Sequence, residues 1–201
     1  MTVRAEESET TLTARVGNNA DLLVDCVKMY ANFGDVIVDV TYGKGVFWQK
    51  IDLSLYDFKG TDLEGGVDFK NLPYGDASVD LLVLDPPYMH GGATIKASIN
   101  DCYRNQNTSH ASVIRLYAGG ILEAARVLKK KGRIFVKCQD EIESGKQRWS
   151  HLELMSILES FGFCALDLFV LQQKSVPAMR QKTQKTARKN HSFMIVAEFR
   201  G

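Results

Sequence analysis

The sequence has few cysteines, no long apolar run and no excess of charge of either sign. Its four cysteines lie far apart without a C-x-x-C pair, which argues against a zinc module or a redox dithiol and suits reduced thiols. The longest apolar runs, such as residues 81–84, fall far short of the roughly 18 to 20 residues that a membrane span requires. With 25 basic and 24 acidic side chains, bulk charge gives no indication of a nucleic-acid partner.

The overall composition is that of a globular protein. The chain has 201 residues, of which 45% are hydrophobic and 24% charged, and a domain of this length buries about 70% of its unfolded surface. The opening MTVRAEESET is polar and rich in glutamate, unlike a signal peptide, so we expect a cytoplasmic protein that does not associate with membranes. No repeat and no Pro/Gly/Ser-rich linker divides the sequence, which predicts a single domain over residues 1–201.

Short apolar runs alternate with longer amphipathic stretches, a pattern typical of βαβ units and an α/β fold with a parallel sheet. The predicted strands cover residues 36–40, 58–62, 81–85, 133–138, 164–171 and 192–199. The predicted helices cover residues 20–30, 113–128 and 152–161. Gly34, Gly132 and Gly162 stand where helices are expected to stop. Two polar segments, residues 89–112 and 174–191, do not fit this alternation.

The first candidate site is the glycine-containing turn in VIVDVTYGKGVFW. The predicted strand ends at Asp39 and leads into Gly43 and Gly45, which let a ligand approach the backbone beyond the carboxyl end of the sheet. A dinucleotide-binding fingerprint needs a third glycine where Trp48 stands, so a nicotinamide dehydrogenase is disfavoured. Asp62 ends the next predicted strand, where a carboxylate can accept hydrogen bonds from both ribose hydroxyls. Together, the turn and this carboxylate indicate an adenosine-containing ligand.

The second candidate site is more specific. In LLVLDPPYMHGG, the tetrapeptide Asp85-Pro86-Pro87-Tyr88 follows a wholly apolar predicted strand, and the double proline ends that strand and fixes the backbone outside the sheet. Asp85 and the Pro86 carbonyl offer two hydrogen-bond acceptors, and Tyr88 offers a flat face for stacking. These groups suit an exocyclic amino group on a heteroaromatic base, because two acceptors that hold both N–H groups favour the pyramidal nitrogen whose lone pair can attack.

With both motifs, the sequence resembles the S-adenosylmethionine-dependent amino-methyltransferases, the family that includes DNA N6-adenine and N4-cytosine methyltransferases. The resemblance spans about residues 18–199, and the D-P-P-Y tetrapeptide is its specific part. It implies a Rossmann-like, doubly wound, mostly parallel sheet of the class I methyltransferase type, with S-adenosylmethionine as cofactor. The implied cofactor-binding residues are Asp39, Thr41, Gly43, Gly45, Asp62, Asp68 and Phe69. The implied catalytic residues are Asp85, Pro86, Pro87 and Tyr88.

Within these sets, the family pattern places Asp39, Gly43 and Gly45 on the methionine side of the cofactor, makes Asp62 the ribose acid, and sets Asp68 and Phe69 beside the adenine. The implied reaction is direct methyl transfer to an extruded base on which Tyr88 stacks. N6 of adenine in DNA is favoured, because the family's adenine enzymes more often carry D-P-P-Y.

No metal is implied. The four histidines, His90, His110, His151 and His191, are scattered without metal-ligand spacing. The absence of a cysteine after proline argues against the covalent mechanism of carbon-5 methylation.

The chain's one strongly basic stretch is residues 174–191, which hold six cationic side chains and no acid. We predict that it binds nucleic acid, DNA in the first instance, through Lys174, Arg180, Lys182, Lys185, Arg188 and Lys189. Residues 89–112 are expected to help, because the large target-recognition domain of many restriction-modification enzymes is missing. An RNA base amino-methyltransferase and a catalytically inactive nucleic-acid-binding module of the same fold remain alternatives.

Overall fold

The computed structural model describes residues 10–87, 109–173, 187 and 189–201. In these ranges the strands are β1 Ala14–Val16, β2 Val36–Asp39, β3 Asp57–Gly60, β4 Val79–Leu84, β5 Leu128–Cys138, β6 Glu141–Glu143, β7 Lys146–Arg148, β8 Phe163–Gln172 and β9 His191–Phe199. The α-helices are α1 Asn19–Tyr30, α2 His110–Val127 and α3 Ser150–Ser160. Two single turns of 3₁₀-helix, Val46–Trp48 and Leu53–Leu55, connect β2 to β3.

Seven of these strands form one sheet in the order β1-β8-β9-β5-β4-β2-β3. Every pairing in the sheet is parallel except those of β9, which runs antiparallel to both β5 and β8. From β2 the chain passes to β3 on one side and then to β4 on the other. The crevice outside the carboxyl ends of β2 and β4 is therefore the place where such a sheet binds ligands.

Helices cover both faces of the sheet. Alternate residues of β4 point to opposite faces, so that Leu82 and Leu84 join the core beneath α2 and α3, whereas Leu81 and Val83 join the core beneath α1. Tyr117 is one of the fully buried side chains that α2 contributes. Burial on both faces explains why β4 is an almost continuous apolar run. Among the described helices, none is both long and apolar enough to cross a membrane.

All six predicted strands and all three predicted helices are present, with ends that differ by a few residues. The expected stop at Gly132 is wrong, because α2 ends at Val127 and Gly132 lies in a bulge of β5. A Cβ atom at Gly132 would lie 2.8 Å from the Lys129 carbonyl oxygen, so this glycine serves close backbone packing rather than a helix end. Gly34 and Gly162 follow α1 and α3 at φ +84°, as expected of residues beyond a helix end.

The irregular segment predicted over residues 89–112 ends earlier than expected, because a helix begins at His110. Ser109 caps α2 by accepting a hydrogen bond from the Ser112 N–H. Residues 89–108, and most of the basic segment 174–191, lie outside the described residues. The sequence reasoning missed β1 and the β6–β7 hairpin, because strands of three residues are too short to show a period.

Candidate active site

The end of β2 is held by a buried carboxylate. Asp39 is 3% exposed, and its Oδ1 accepts hydrogen bonds from the Thr41 N–H at 2.9 Å and the Thr41 hydroxyl at 3.1 Å. Its Oδ2 accepts a hydrogen bond from the Trp48 indole N–H at 2.7 Å. Burial raises the pKa of Asp39 to about 6 against the effect of these hydrogen bonds, and the charge of Asp62 adds to the rise. Asp39 thus holds the turn in shape. Its partner Trp48 occupies the position at which a dinucleotide-binding fingerprint has its third glycine.

The two glycines of the turn adopt left-handed backbone conformations, with φ +51° at Gly43 and +67° at Gly45. Other residues adopt such angles only with strain. The ring of Tyr42 lies across the turn: a Cβ atom at Gly45 would lie 2.5 Å from its hydroxyl oxygen, and a Cβ atom at Gly60 would lie 2.5 Å from its Cγ. Close packing against Tyr42 therefore requires glycine at both positions. The sequence reasoning did not identify Tyr42 or Gly60.

Thr41 joins the two predicted motifs. While its hydroxyl donates to Asp39, the same oxygen accepts a hydrogen bond of 2.8 Å from the Asp85 N–H. The Val40 N–H also donates to the Val83 carbonyl, at 3.1 Å. The structure thus brings Asp39, Thr41 and Asp85 together at the carboxyl edge of the sheet, as the strand prediction requires.

Asp85 lies just beyond β4 at the carboxyl edge of the sheet. In the described part of the chain, its Oδ1 is buried and has no hydrogen-bond partner. Burial raises the pKa of Asp85 to about 7; the charge of Lys137 opposes this rise and that of Asp39 adds to it. Pro86 is buried and Pro87 is half-buried, whereas Tyr88 lies outside the described residues.

Lys137 is the functional candidate that the sequence reasoning missed. It is 1% exposed near the end of β5. The parallel register pairs Leu84 with Val136, so Asp85 and Lys137 are the next residues on two neighbouring strands. Burial lowers the pKa of Lys137, and Asp85 opposes that change. The only signal in the sequence is a lysine inside the apolar stretch RIFVKC.

The remaining predicted cofactor residues follow β3. Asp62 uses Oδ1 to accept a hydrogen bond of 2.6 Å from the Gly65 N–H, and its Oδ2 has no hydrogen bond to any other described residue. The Asp68 carboxylate accepts a hydrogen bond of 2.9 Å from the Lys70 N–H and forms an ion pair of 3.3 Å with the Lys70 ammonium. Phe69 packs on α2, where a Cβ atom at Gly120 would lie 2.9 Å from its ring. The Thr61 N–H donates to the Asp39 carbonyl at 2.8 Å, which brings Asp62 near Asp39. Phe69 is partly buried and packs against the core beneath α2.

Farther along the same edge lies a group that we call the aromatic surface: Trp149, His151, Lys189 and Phe193. Trp149 is 48% exposed, and the Lys189 ammonium lies 4.8 Å from the centroid of its ring. His151 stacks on Phe193 with ring centroids 4.4 Å apart, and its Nδ1 lies 2.7 Å from Asp140 Oδ1. Of its members, only Lys189 was predicted to bind nucleic acid; the grouping was not predicted, because residues 149–151 and 189–193 are far apart in the sequence.

The aromatic surface is close to Asp85 in the sheet. Phe193 of β9 pairs with Cys138 of β5, the residue after Lys137, and β5 is the neighbour of β4. Two strand spacings amount to about 10 Å. Lys189 is the one member of the predicted nucleic-acid-binding set among the described residues; the others are Lys174, Arg180, Lys182, Lys185 and Arg188.

Solved structures with a similar fold have low sequence identity to this chain. A chain of the complex between the Haloferax volcanii Trm112 methyltransferase activator and a methyltransferase is 15% identical, with a TM-score of 0.57, and the match covers 91% of this chain and 89% of that chain. A Bacillus halodurans protein described as a methyltransferase is 13% identical, with a TM-score of 0.55 and coverage of 88% and 97%. The 4+2 cyclase SpnF is 15% identical, with a TM-score of 0.52 and coverage of 89% and 80%. No family model and no curated protein sequence matches the chain.

The protein has the Rossmann-like class I methyltransferase fold. This confirms the predicted fold class. The likeness to SpnF, a cyclase, illustrates that this fold does not by itself set the reaction. The function therefore has to be argued from the side chains at the carboxyl edge.

Proposed function

We propose that the protein is an S-adenosylmethionine-dependent methyltransferase that acts on the exocyclic amino group of a nucleic-acid base, N6 of adenine in DNA being the preferred target. One observation carries the proposal: a buried carboxylate oxygen, Asp85 Oδ1, has no partner among the described residues and stands at the strand end that precedes the double proline. A buried acceptor without a donor costs free energy. A base amino group is a donor that satisfies it.

The adjoining turn fits the cofactor. The left-handed Gly43 and Gly45 leave the backbone open to a ligand on the methionine side. Asp62 retains one carboxylate oxygen for a ribose hydroxyl, and Asp68 and Phe69 follow on the adenine side. Asp39 and Thr41 act indirectly, because their hydrogen bonds hold the turn against the Asp85 backbone.

When bound, S-adenosylmethionine supplies a methyl group whose bond to sulfur breaks, leaving its electron pair on sulfur, as the amine nitrogen bonds to the methyl carbon. Asp85 and the Pro86 carbonyl orient the two amine N–H groups, so that the nitrogen lone pair points away from them. Tyr88 is the proposed stacking partner of the extruded base. Asp85 is then placed to accept the proton that the nitrogen loses.

The aromatic surface supports a nucleic-acid partner. Aromatic rings and cations are the two parts from which proteins build sites for unstacked strands, and Trp149 and Lys189 supply one of each. The basic segment 174–191, of which Lys189 is a part, contributes the remaining cations of the proposed interface.

Two measurements test the proposal. Calorimetric titration is expected to detect binding of S-adenosylmethionine and of its demethylated product; a ligand at a hundredfold excess over its Kd also stabilises the native state by about 2.7 kcal/mol. Binding of NAD without either compound would overturn the cofactor assignment. Transfer of labelled methyl groups to DNA and to RNA, followed by mass spectrometry of the nucleosides, is expected to give N6-methyladenine from DNA. N4-methylcytosine alone would exclude the adenine target, and a modified RNA base alone would establish the RNA enzyme.

A further inference from the structure

Lys137 is an unusual residue for its position. It lies in β5, between β4 and β9, and its backbone is opposite Met194 in the antiparallel register with β9. Its backbone carbonyl accepts a hydrogen bond of 2.6 Å from the hydroxyl of Tyr117, a fully buried residue of α2. Lysine is almost never fully buried unless its charge is compensated. A buried lysine in the central sheet therefore indicates a nearby negative charge. Asp85 follows Leu84, the strand partner of Val136, and its charge acts on Lys137.

Other groups face Asp85 as well. From β2, the Asp39 carboxylate favours the protonated form of Asp85. From β5, the Cys138 thiol has its pKa raised well above the usual range by burial, so it stays neutral. In the described part of the chain, Lys137 is the one cation whose charge acts on Asp85.

We propose that Lys137 is a positioning residue that keeps the neighbouring Asp85 in its carboxylate form, ready to accept hydrogen bonds and a proton from the target amine. This inference rests on the proposed function. A protonated Asp85 would present a hydroxyl donor to an amino group that is itself a donor, and would have no capacity for a further proton. Burial and Asp39 both favour that inactive form, and Lys137 opposes them.

The test is the pH profile of methyl transfer in Lys137→Met, which removes the charge and keeps a long apolar side chain. An opposite charge within about 4 to 6 Å lowers a carboxyl pKa by about 1 to 3 units. The acid limb of kcat/KM is therefore expected to move up by about 1 to 3 pH units in the variant, with much of the rate regained at alkaline pH. Lys137→Arg restores the cation and is expected to return the limb towards that of the wild type.

Arg133→Met is the matched control. Arg133 lies four residues earlier on the same strand and on the same side of the sheet, and its guanidinium donates to the Tyr30 carbonyl at 3.2 Å, away from Asp85. Its removal is expected to leave the acid limb in place. An acid limb that is unmoved in a folded Lys137→Met protein, with a uniformly lower rate, would show that Lys137 has only a packing role and would overturn the inference.

A second readout does not depend on turnover. Infrared difference spectroscopy can follow the protonated carboxyl band that Asp85→Asn removes, and this band is expected to titrate near pH 7 in the wild type and at higher pH in Lys137→Met. Lys137→Gln serves as the second neutral variant if the methionine protein does not fold. If the wild type transfers no methyl group, the proposed function fails, whereas the infrared titration still decides whether Lys137 sets the charge of Asp85.

Discussion

The carboxyl edge of the sheet has two unlike halves. At β2 and β4, Asp39, Thr41 and Asp85 are linked by short hydrogen bonds and largely withdrawn from water, beside the buried Lys137. At β5 and β9, the aromatic surface presents a half-exposed Trp149 and a cation to solvent. One half has ionisable groups whose pKa values are shifted by burial, and the other has an exposed ring, that of Trp149, beside a cation.

This difference suggests a division of labour. Buried groups with shifted pKa values are typical of reacting centres, whereas exposed rings with cations are typical of nucleic-acid contacts. If the halves have separate tasks, substitutions in the first half change turnover with little effect on nucleic-acid affinity. Substitutions in the second half change nucleic-acid affinity and leave cofactor affinity as it is.

The largest expected effect is that of Asp85→Ala on turnover. Loss of one preorganised hydrogen-bonding group at a reacting centre costs about a hundred- to a thousandfold in rate, and we expect a loss of this size in methyl transfer under single-turnover conditions. Affinity for S-adenosylmethionine, measured by calorimetry, is expected to stay within about twofold. Asp57→Ala removes an exposed carboxylate of β3 that is paired with Lys59 and is the control. If Asp85→Ala kept the wild-type rate, the reacting centre could not be at β2 and β4.

The next effect concerns stability, which is expected to fall as the pH rises from the ordinary carboxyl value of 3.8 towards 7. Burial raises the pKa of Asp39 to about 6 and that of Asp85 to about 7, so the folded chain binds more protons than the unfolded chain in this window. Each group then lowers the free energy of unfolding by at most about 1.4 kcal/mol per pH unit, Asp39 up to about pH 6 and Asp85 up to about pH 7. Urea titrations across the window measure the slope.

The double variant Asp85→Asn/Lys137→Met replaces the facing pair by neutral side chains and is expected to have a shallower slope. The raised pKa of His110 is common to both proteins and cancels in the comparison. An equal slope in the two proteins would mean that Asp85 is not protonated more readily in the folded chain than in the unfolded chain.

The positions of the buried half were largely predictable from the sequence. Parallel strands that are buried on both faces are short apolar runs with abrupt ends, and Asp39 and Asp85 stand at two such ends. The carboxyl ends of parallel strands meet at one edge of the sheet. The glycine turn and the D-P-P-Y tetrapeptide could therefore be predicted to be neighbours without knowledge of long-range contacts.

Long-range contacts account for what the sequence could not show. Lys137 is buried because β9, far along the chain, covers β5 on its other side, and a single lysine in a strand is equally compatible with an exposed position. In the sequence, Trp48 only showed that the third glycine of the dinucleotide-binding fingerprint is missing. In the structure, its indole N–H donates a hydrogen bond to Asp39. Trp149 and Lys189 meet across the whole length of α3 and β8. No spacing rule connects such residues.

A moderate effect is expected for Trp149→Ala on nucleic-acid affinity. Stacking of a base on an aromatic side chain contributes about 1 to 3 kcal/mol by alanine substitution, and fluorescence anisotropy with a labelled single-stranded DNA measures the loss. Phe33→Ala is the matched control, because Phe33 is also an exposed aromatic residue but follows α1. Equal losses in both variants, or none in Trp149→Ala, would show that the aromatic surface does not contact bases.

The smallest effect is that of a single cation at the aromatic surface. Each phosphate neutralised contributes about 0.9 to the slope of log affinity against log salt on duplex DNA, so Lys189→Ala is expected to lower the slope by about this amount if its ammonium contacts one phosphate. Lys59→Ala, on the far edge strand β3 and paired with Asp57, is expected to leave the slope unchanged. Affinity for S-adenosylmethionine should be the same in both variants, because Lys189 lies at the aromatic surface and the exposed Lys59 ammonium is paired with Asp57, at the other end of β3 from Asp62. Lys189→Ala could leave the slope unaltered while Trp149→Ala weakens binding. The aromatic surface would then stack bases only, and the other cations of segment 174–191 would contact the phosphates.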